Sequence, residues 1–227
     1  LKGISVELLD YMGSDLTITN VARVSFNKWK EEFDSKDERL IKYLAEHEHT
    51  SPFRHNSIQI RCKAPIFLAR QLMKHQVGLS WNEISRRYVD TDIEFFEPER
   101  WRSRPKDGIK QGSGEESVDF LIHDDEDGYG TEKVFLEQAY HHHVHDSLEL
   151  YEKMVEAGVA PEMARMVLPQ SMLTDWVWTG SLQAFYHVYR LRSGEGSQKE
   201  AQVFAKKLEE VIEPLFPKAW VALKKGE

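Results

Sequence analysis

The hydrophobic period changes abruptly near residue 64, and that change limits what this chain can fold into. In "SIQIRCKAP" (57–65), Ile58, Ile60 and Cys62 alternate with polar residues, the period-2 pattern of a strand with one buried face. From Ala64 onward Ile66, Ala69, Met73 and Val77 recur at helical spacing, with Pro65 placed for a first turn. "GISVELL" (3–9) alternates Ile4, Val6 and Leu8 and predicts another strand. Ser35 and Glu38 form an S-x-x-E capping box ahead of a helix whose stripe is Leu40, Ile41 and Leu44. After residue 132 the pattern is helical. A long helix is predicted over 132–157, with Tyr140, Val144, Leu148, Tyr151 and Val155 inward. A short one runs from Pro161 to near Pro169, another over about 175–191, and a last over about 198–213 that buries Ala201, Phe204, Ala205, Leu208 and Ile212. Strands early and helices late, without an internal repeat, point to an α+β fold. The expectation is one domain over 1–227: a twisted, mostly antiparallel sheet packed with long helices, the C-terminal half helical. Residues 104–132, rich in acids and holding five glycines, are expected to be a long loop or insertion.

Bulk chemistry excludes several classes. A net charge of −8 argues against non-specific nucleic-acid binding, which needs a broad basic face. No apolar run approaches the ~18 residues of a membrane span, and no basic-then-apolar leader opens the sequence. Cys62 is the single cysteine, so an intrachain disulfide is impossible and a reducing cytoplasm fits best.

The chemistry concentrates in "RQLMKHQVGLSWNEISRRYVD" (70–90). On a continuous helix Arg70, Gln71, Lys74 and His75 would share an arc of roughly 140°, opposite the apolar stripe. Asn82, Glu83, Ser85, Arg86 and Arg87 follow at once. A solvated helix end has no need of so dense a donor and acceptor set. A site gripping an anionic, planar ligand does, because guanidinium forks match phosphate oxygens and imide edges.

These residues resemble the signature of the flavin-dependent thymidylate synthases: Arg-His-Arg, then an Asn-Glu-apolar run, then Ser, then Arg-Tyr. Here the signature reads Lys74-His75-Gln76, "SWNEI", Ser85 and Arg87-Tyr88, with one extra residue near Gly78-Leu79. Four further segments match in order: "VARVSF" containing Ser25, "HTSPFRH" (49–55), "ARMVLP" (164–169) and "LRSGEGSQKE" (191–200). The departures are Lys74 and Gln76 in place of arginines, and Ser181, Gln183 and His187 where the family often carries Asn, Arg and Asn.

The resemblance implies methylation of dUMP to dTMP, with methylenetetrahydrofolate as carbon donor, NADPH as reductant and FAD between them. On that reading Arg192 holds and polarises the uracil. Arg87 and Arg165 clamp the phosphate, and Gln71, Glu83 and Ser85 complete the nucleotide cage. Ser85 has no activating base in the sequence and is assigned binding and orientation. The flavin side comprises Ser25, His49, Ser51, Lys74, His75, Gln76, Glu83 and His187. The family's sites form where subunits of a homotetramer meet.

Other features carry blander readings. Cys62 falls on the apolar face of a predicted strand and reads as a buried, inert thiol. The cluster His141, His142, His143, His145 and Asp146 reads as an exposed helix face, and no metal is expected. Arg100, Arg102, Arg104 and Lys106 read first as a solvated basic run, and second as a contact for a phosphate or a folate tail. Gly194 and Gly196 follow no strand, so they do not form a Rossmann fingerprint. Two other readings compete with the enzyme: a non-catalytic nucleotide-binding module that has lost flavin chemistry, and a metal protein built on the histidines.

Overall fold

The computed structural model describes residues 2–89, 91–106, 112–124 and 131–226. Its centre is a four-stranded antiparallel sheet of β1 (Ser5–Met12), β2 (Ser57–Pro65), β6 (Leu173–Gly180) and β3 (Leu79–Glu83), in the order β1-β2-β6-β3. The alternation of β2 sets its faces as expected. Ile58, Ile60, Cys62 and Ala64 are fully buried, while Gln59 and Arg61 reach Thr179 and Asp175 on the other face. Cys62 lies opposite Trp176 and Ile60 opposite Trp178, so the two central strands bury their largest side chains together. Trp81 of β3 then stacks on Trp176 at 4.2 Å between ring centroids. Aromatic rings of this size remove on the order of 150–250 Å² each from water, which makes this face the anchor of the core.

Helices cover that face. They are α1 (Asp15–Arg23), α2 (Ser35–Glu46), α3 (Ile66–Leu72), α6 (Leu182–Ser193), α7 (Lys199–Ile212) and α8 (Pro217–Lys225). The stripe predicted for 198–213 is the buried face of α7: Ala201, Phe204, Ala205, Leu208 and Ile212 are each fully buried. A hairpin of β4 (Phe120–Asp124) and β5 (Thr131–Phe135) leads into α4 (Leu136–Glu156), and α5 (Pro161–Ala164) precedes the 3₁₀ turn Arg165–Val167. The fold is α+β, as expected. None of the described helices is long and apolar enough to cross a membrane.

Four local expectations are corrected. The helix predicted through Val77 ends at Leu72, so Lys74, His75 and Gln76 lie in a turn and not on one helical arc with Arg70. Gly78, at φ +72°, takes a left-handed conformation that closes the turn into β3. The helix predicted over 175–191 is a strand, then a helix: β6 occupies 173–180, and α6 starts at Leu182 under the Ser181 cap. Gly180 permits the junction, since a Cβ there would lie 2.4 Å from Leu79 Cδ2 and 2.7 Å from the Gly78 carbonyl oxygen. The α2 capping box is one residue earlier, Asp34 with Asp37, because carboxylates accept these amide protons more strongly than a hydroxyl and Lys30 bridges both at 2.8 and 2.6 Å. Finally, residues 120–124 of the acidic segment are strand and 131–135 precede the helix; residues 107–111 and 125–130 lie outside the described ones.

Two buried polar side chains lock distant segments. Asp15 accepts from the Lys218 and Ala219 amides, each at 2.9 Å, capping α8 with a carboxylate from α1. Asn56 accepts the Leu182 amide at 2.6 Å and donates to the Phe53 carbonyl at 3.2 Å. It thereby fixes the start of α6 against the 3₁₀ turn Ser51–Arg54, and both carry site residues.

Candidate active site

The turn after α3 and the inner face of α6 approach each other at the end of the sheet. Their meeting point is a hydrogen bond: Arg192 Nε donates to His75 Nε2 at 3.0 Å. A guanidinium offers no acceptor, so this bond requires a lone pair on Nε2 and places the His75 proton on Nδ1. The electrostatics agree. Burial pushes the His75 pKa down to about 4, and the charges of Arg192 and then His187 push the same way. His75 is therefore neutral at physiological pH. Burial also lowers the Arg192 pKa, and with so high a starting value the group stays cationic.

Two cavities flank this pair. The first, about 560 Å³, is lined by Lys74, His75, Gln76, Gln183 and His187, with Arg54 and the apolar side chains Val77, Leu79, Ala184 and Leu191. The second, about 760 Å³, is lined by Gln71, Arg190, Arg192, Arg102 and the Gly194–Gln198 loop. A third, about 380 Å³, holds His49 beside Arg54, Gln183 and His187. The first two each contain a buried acceptor with no protein partner among the described residues. Gln183 Nε2 lies 3.0 Å from His187 Nε2, while Gln183 Oε1 is unpaired; Gln71 Oε1 is unpaired at the other cavity. A buried polar atom left unpaired costs about 1–3 kcal/mol, so both suit a bound ligand with donors. Cations, an orphan amide and an apolar wall make the first cavity fit an anionic flavin dinucleotide.

The expected residues thus divide into two groups. Lys74, His75, Gln76 and His187 share the first cavity, Gln71 and Arg192 share the second, and His49 lines the third. Ser25, Ser51, Glu83, Ser85, Arg87 and Arg165 line none of these three. Glu83 is tied to the sheet, accepting from Thr174 Oγ1 at 2.6 Å and Trp81 Nε1 at 3.1 Å. Ser85 Oγ accepts from the Arg87 amide and from Arg87 Nε, both at 3.3 Å, which orients the guanidinium over the Tyr88 ring at 5.0 Å. Arg165 is exposed on its 3₁₀ turn, held by Nε donating to the Glu162 carbonyl at 3.2 Å. Ser25 lies in the 3₁₀ turn Val24–Phe26, beside Phe26 at 76% exposure and near Trp29 at 63%.

Neighbouring residues differ from their expected roles. Arg86 is buried, and its guanidinium donates to the carbonyls of Thr91 at 2.6 Å and Val89 and Asp92 at 3.4 Å; it holds the loop after the signature. Arg102, expected in a solvated run, donates through Nη2 to both Glu200 oxygens at 2.8 Å, and Glu200 is 2% exposed. Arg54 and Arg190 were not singled out by the sequence, although Arg54 stands inside "HTSPFRH". Cys62 is fully buried, and burial, with Asp175 next, raises its pKa well above the ordinary value. The four clustered histidines are exposed on α4. The groups there that approach one another are His145, Asp146 and Glu149, and Glu149 is already paired with Lys153 at 2.5 Å.

Comparison with known proteins places this arrangement. Residues 7–218 match the family model described as thymidylate synthase complementing protein. A flavin-dependent thymidylate synthase of Thermus thermophilus is 35% identical over 221 residues, covering 96% of this chain and 74% of that protein. That of Wolbachia pipientis wMel is 36% identical over 226 residues, covering 96% and 72%. Among solved structures, a UMP/dUMP methylase from Streptomyces cacaoi bound with 5-Br dUMP superposes with a TM-score of 0.80 at 30% identity, covering 97% of this chain and 94% of the other. The same methylase bound with 5-Br UMP gives a TM-score of 0.81 at 28% identity, covering 98% and 94%. A match spanning the sheet, the turn around His75 and the helix carrying Arg192 leaves one assignment: the chain belongs to the flavin-dependent thymidylate synthase family.

Proposed function

We propose that this chain methylates dUMP at C5 to give dTMP, taking its carbon from methylenetetrahydrofolate and its reducing equivalents from NADPH by way of FAD. The observation that carries this reading is the Arg192–His75 bond, because it joins the wall of the cationic cavity to that of the cavity lined by Gln71 and Arg192. The side chains that would hold a flavin and those that would hold a nucleotide therefore meet at one contact, a neutral imidazole against a guanidinium. FAD in the first cavity supplies hydride chemistry, and the protein supplies orientation and electrostatics.

Arg192, on this reading, donates to the uracil edge and stabilises charge that develops on its carbonyl oxygens. Such preorganised stabilisation is commonly the largest contribution to catalysis. Neutral His75 fixes the direction of the guanidinium without adding a competing charge. Gln71, through its unpaired Oε1, accepts from the nucleotide. Lys74, His75, Gln76 and His187 hold the flavin, with His49 at the adjoining cavity. Glu83, at the end of β3, and Ser85, just beyond it, line none of the three cavities and act with Arg87, which Ser85 orients, on the nucleotide of a neighbouring protomer.

The residues that stand apart need a neighbour. Arg87 and Arg165 are exposed and line none of the three cavities, and Ser25 and Ser51 are exposed as well. We therefore assign the complete site to an assembly of copies, a homotetramer, in which one protomer's phosphate clamp closes on another's cavity. The exposed Phe26 and Trp29 beside Ser25 support burial of that surface on association. The test is product analysis. Purified protein given FAD, NADPH, methylenetetrahydrofolate and an equal mixture of dUMP and UMP should form dTMP, and omission of any one co-substrate should stop it. Methylation of UMP alone would revise the substrate. No methylated product with all components present would leave nucleotide binding without catalysis.

A further inference from the structure

We propose that Arg54 is a cofactor-binding residue whose guanidinium holds the diphosphate of FAD. The proposal rests on the flavin-dependent reading above and extends it to a residue outside the signature. Three side chains, Arg54, Gln183 and His187, line both the first and the third cavity, so Arg54 stands on the boundary between the two spaces. The first cavity holds two fixed cations, Lys74 and Arg54, and no carboxylate in its lining; Glu48 is the acid lining the third. The remaining wall is largely apolar, and an apolar wall strengthens the pull of a cation on a phosphate. The signature's third position here is Gln76, which is uncharged. Arg54 brings a guanidinium into that same cavity from a different segment.

The side chain is presented in a held geometry. Arg54 Nη2 donates to Thr50 Oγ1 at 2.6 Å, and Arg54 has no carboxylate partner among the described residues, leaving donors for a ligand. Its 3₁₀ turn is anchored by fully buried Phe53, by buried Pro52 and by Asn56 donating to the Phe53 carbonyl. A planar fork on a fixed turn matches two phosphate oxygens with little ordering cost.

The experiment titrates FAD and riboflavin into flavin-free full-length protein, following flavin fluorescence at two salt concentrations, for wild type, Arg54→Ala and Arg54→Lys. Circular dichroism checks that each variant is folded. Loss of the charge-assisted contact should weaken FAD binding about tenfold or more in Arg54→Ala and flatten its salt dependence. Arg54→Lys should recover part of the loss, and riboflavin, which has no phosphate, should bind all three within about twofold. Equal FAD affinity in wild type and Arg54→Ala would overturn the assignment, as would a parallel loss of riboflavin binding, which would mean that the turn's shape is at stake. Failure of wild type to bind FAD at all would instead remove the flavin-dependent reading beneath it.

Discussion

Neutrality of His75 can be tested through its linkage to folding. An unfolded histidine titrates near 6.5, and His75 in the folded protein titrates near 4. Between those values the unfolded chain binds more protons, so stability rises with pH across the window; it is fully present above 6.5 and lost as pH falls through about 4. A fully shielded group with that shift would lose about 3.4 kcal/mol over the window. The ring is half-buried, and solvent screening brings the expected loss to about 1–2 kcal/mol. His75→Gln keeps an acceptor for Arg192 Nε and cannot titrate, while the effects of all other groups are common to both proteins. Urea unfolding at about pH 7.5 and about pH 5, at one fixed protein concentration, should show wild type losing about 1 kcal/mol more than the variant. Equal losses would refute the reasoning, as would an NMR titration placing the imidazole at or above 6.5.

Four substitutions test the remaining roles. Arg192→Ala should leave the circular dichroism spectrum intact and nearly abolish dTMP formation; retained turnover would contradict its place on the uracil. Arg87→Ala or Arg165→Ala should each raise the dUMP concentration needed for half-maximal rate, because a charge-assisted phosphate bond is worth about 1.5–3 kcal/mol; an unchanged dUMP titration would put the clamp elsewhere. Cys62→Ala should retain most of its turnover, since the thiol is buried and its pKa raised, and a folded but inactive variant would point to a cysteine nucleophile instead.

Legibility in the sequence followed the range of the forces involved. The buried faces of β2 and α7 were readable from Ile58, Ile60, Cys62 and from Phe204, Leu208, Ile212, because each face is set by a local period. Strand β6 was not. Trp178, Leu182 and Phe185 fall at helical spacing, which extends the true α6 stripe backward and hides the alternation of Trp176 and Trp178. The signature residues Lys74, His75 and Gln76 were placed on a helix, since nothing local announces that residues 79–83 are needed to pair with β6. Arg86 and Arg102 looked like free cations; only the fold supplies the carbonyls of Thr91 and Asp92 and the carboxylate of Glu200. The Arg192–His75 bond joins residues 117 apart in the chain, and family resemblance, not periodicity, assigned both to one site. Arg54 escaped notice because one arginine in a seven-residue motif says nothing of the cavity it lines.

The central claim, that uracil C5 is methylated through flavin chemistry at the Arg192–His75 junction, is tested most directly by tritium release from 5-tritiated dUMP in the presence of methylenetetrahydrofolate. Tritium should enter water only when both FAD and NADPH are supplied, and Cys62→Ala should release it as wild type does. Release at an undiminished rate from flavin-free protein, without NADPH, would contradict the account.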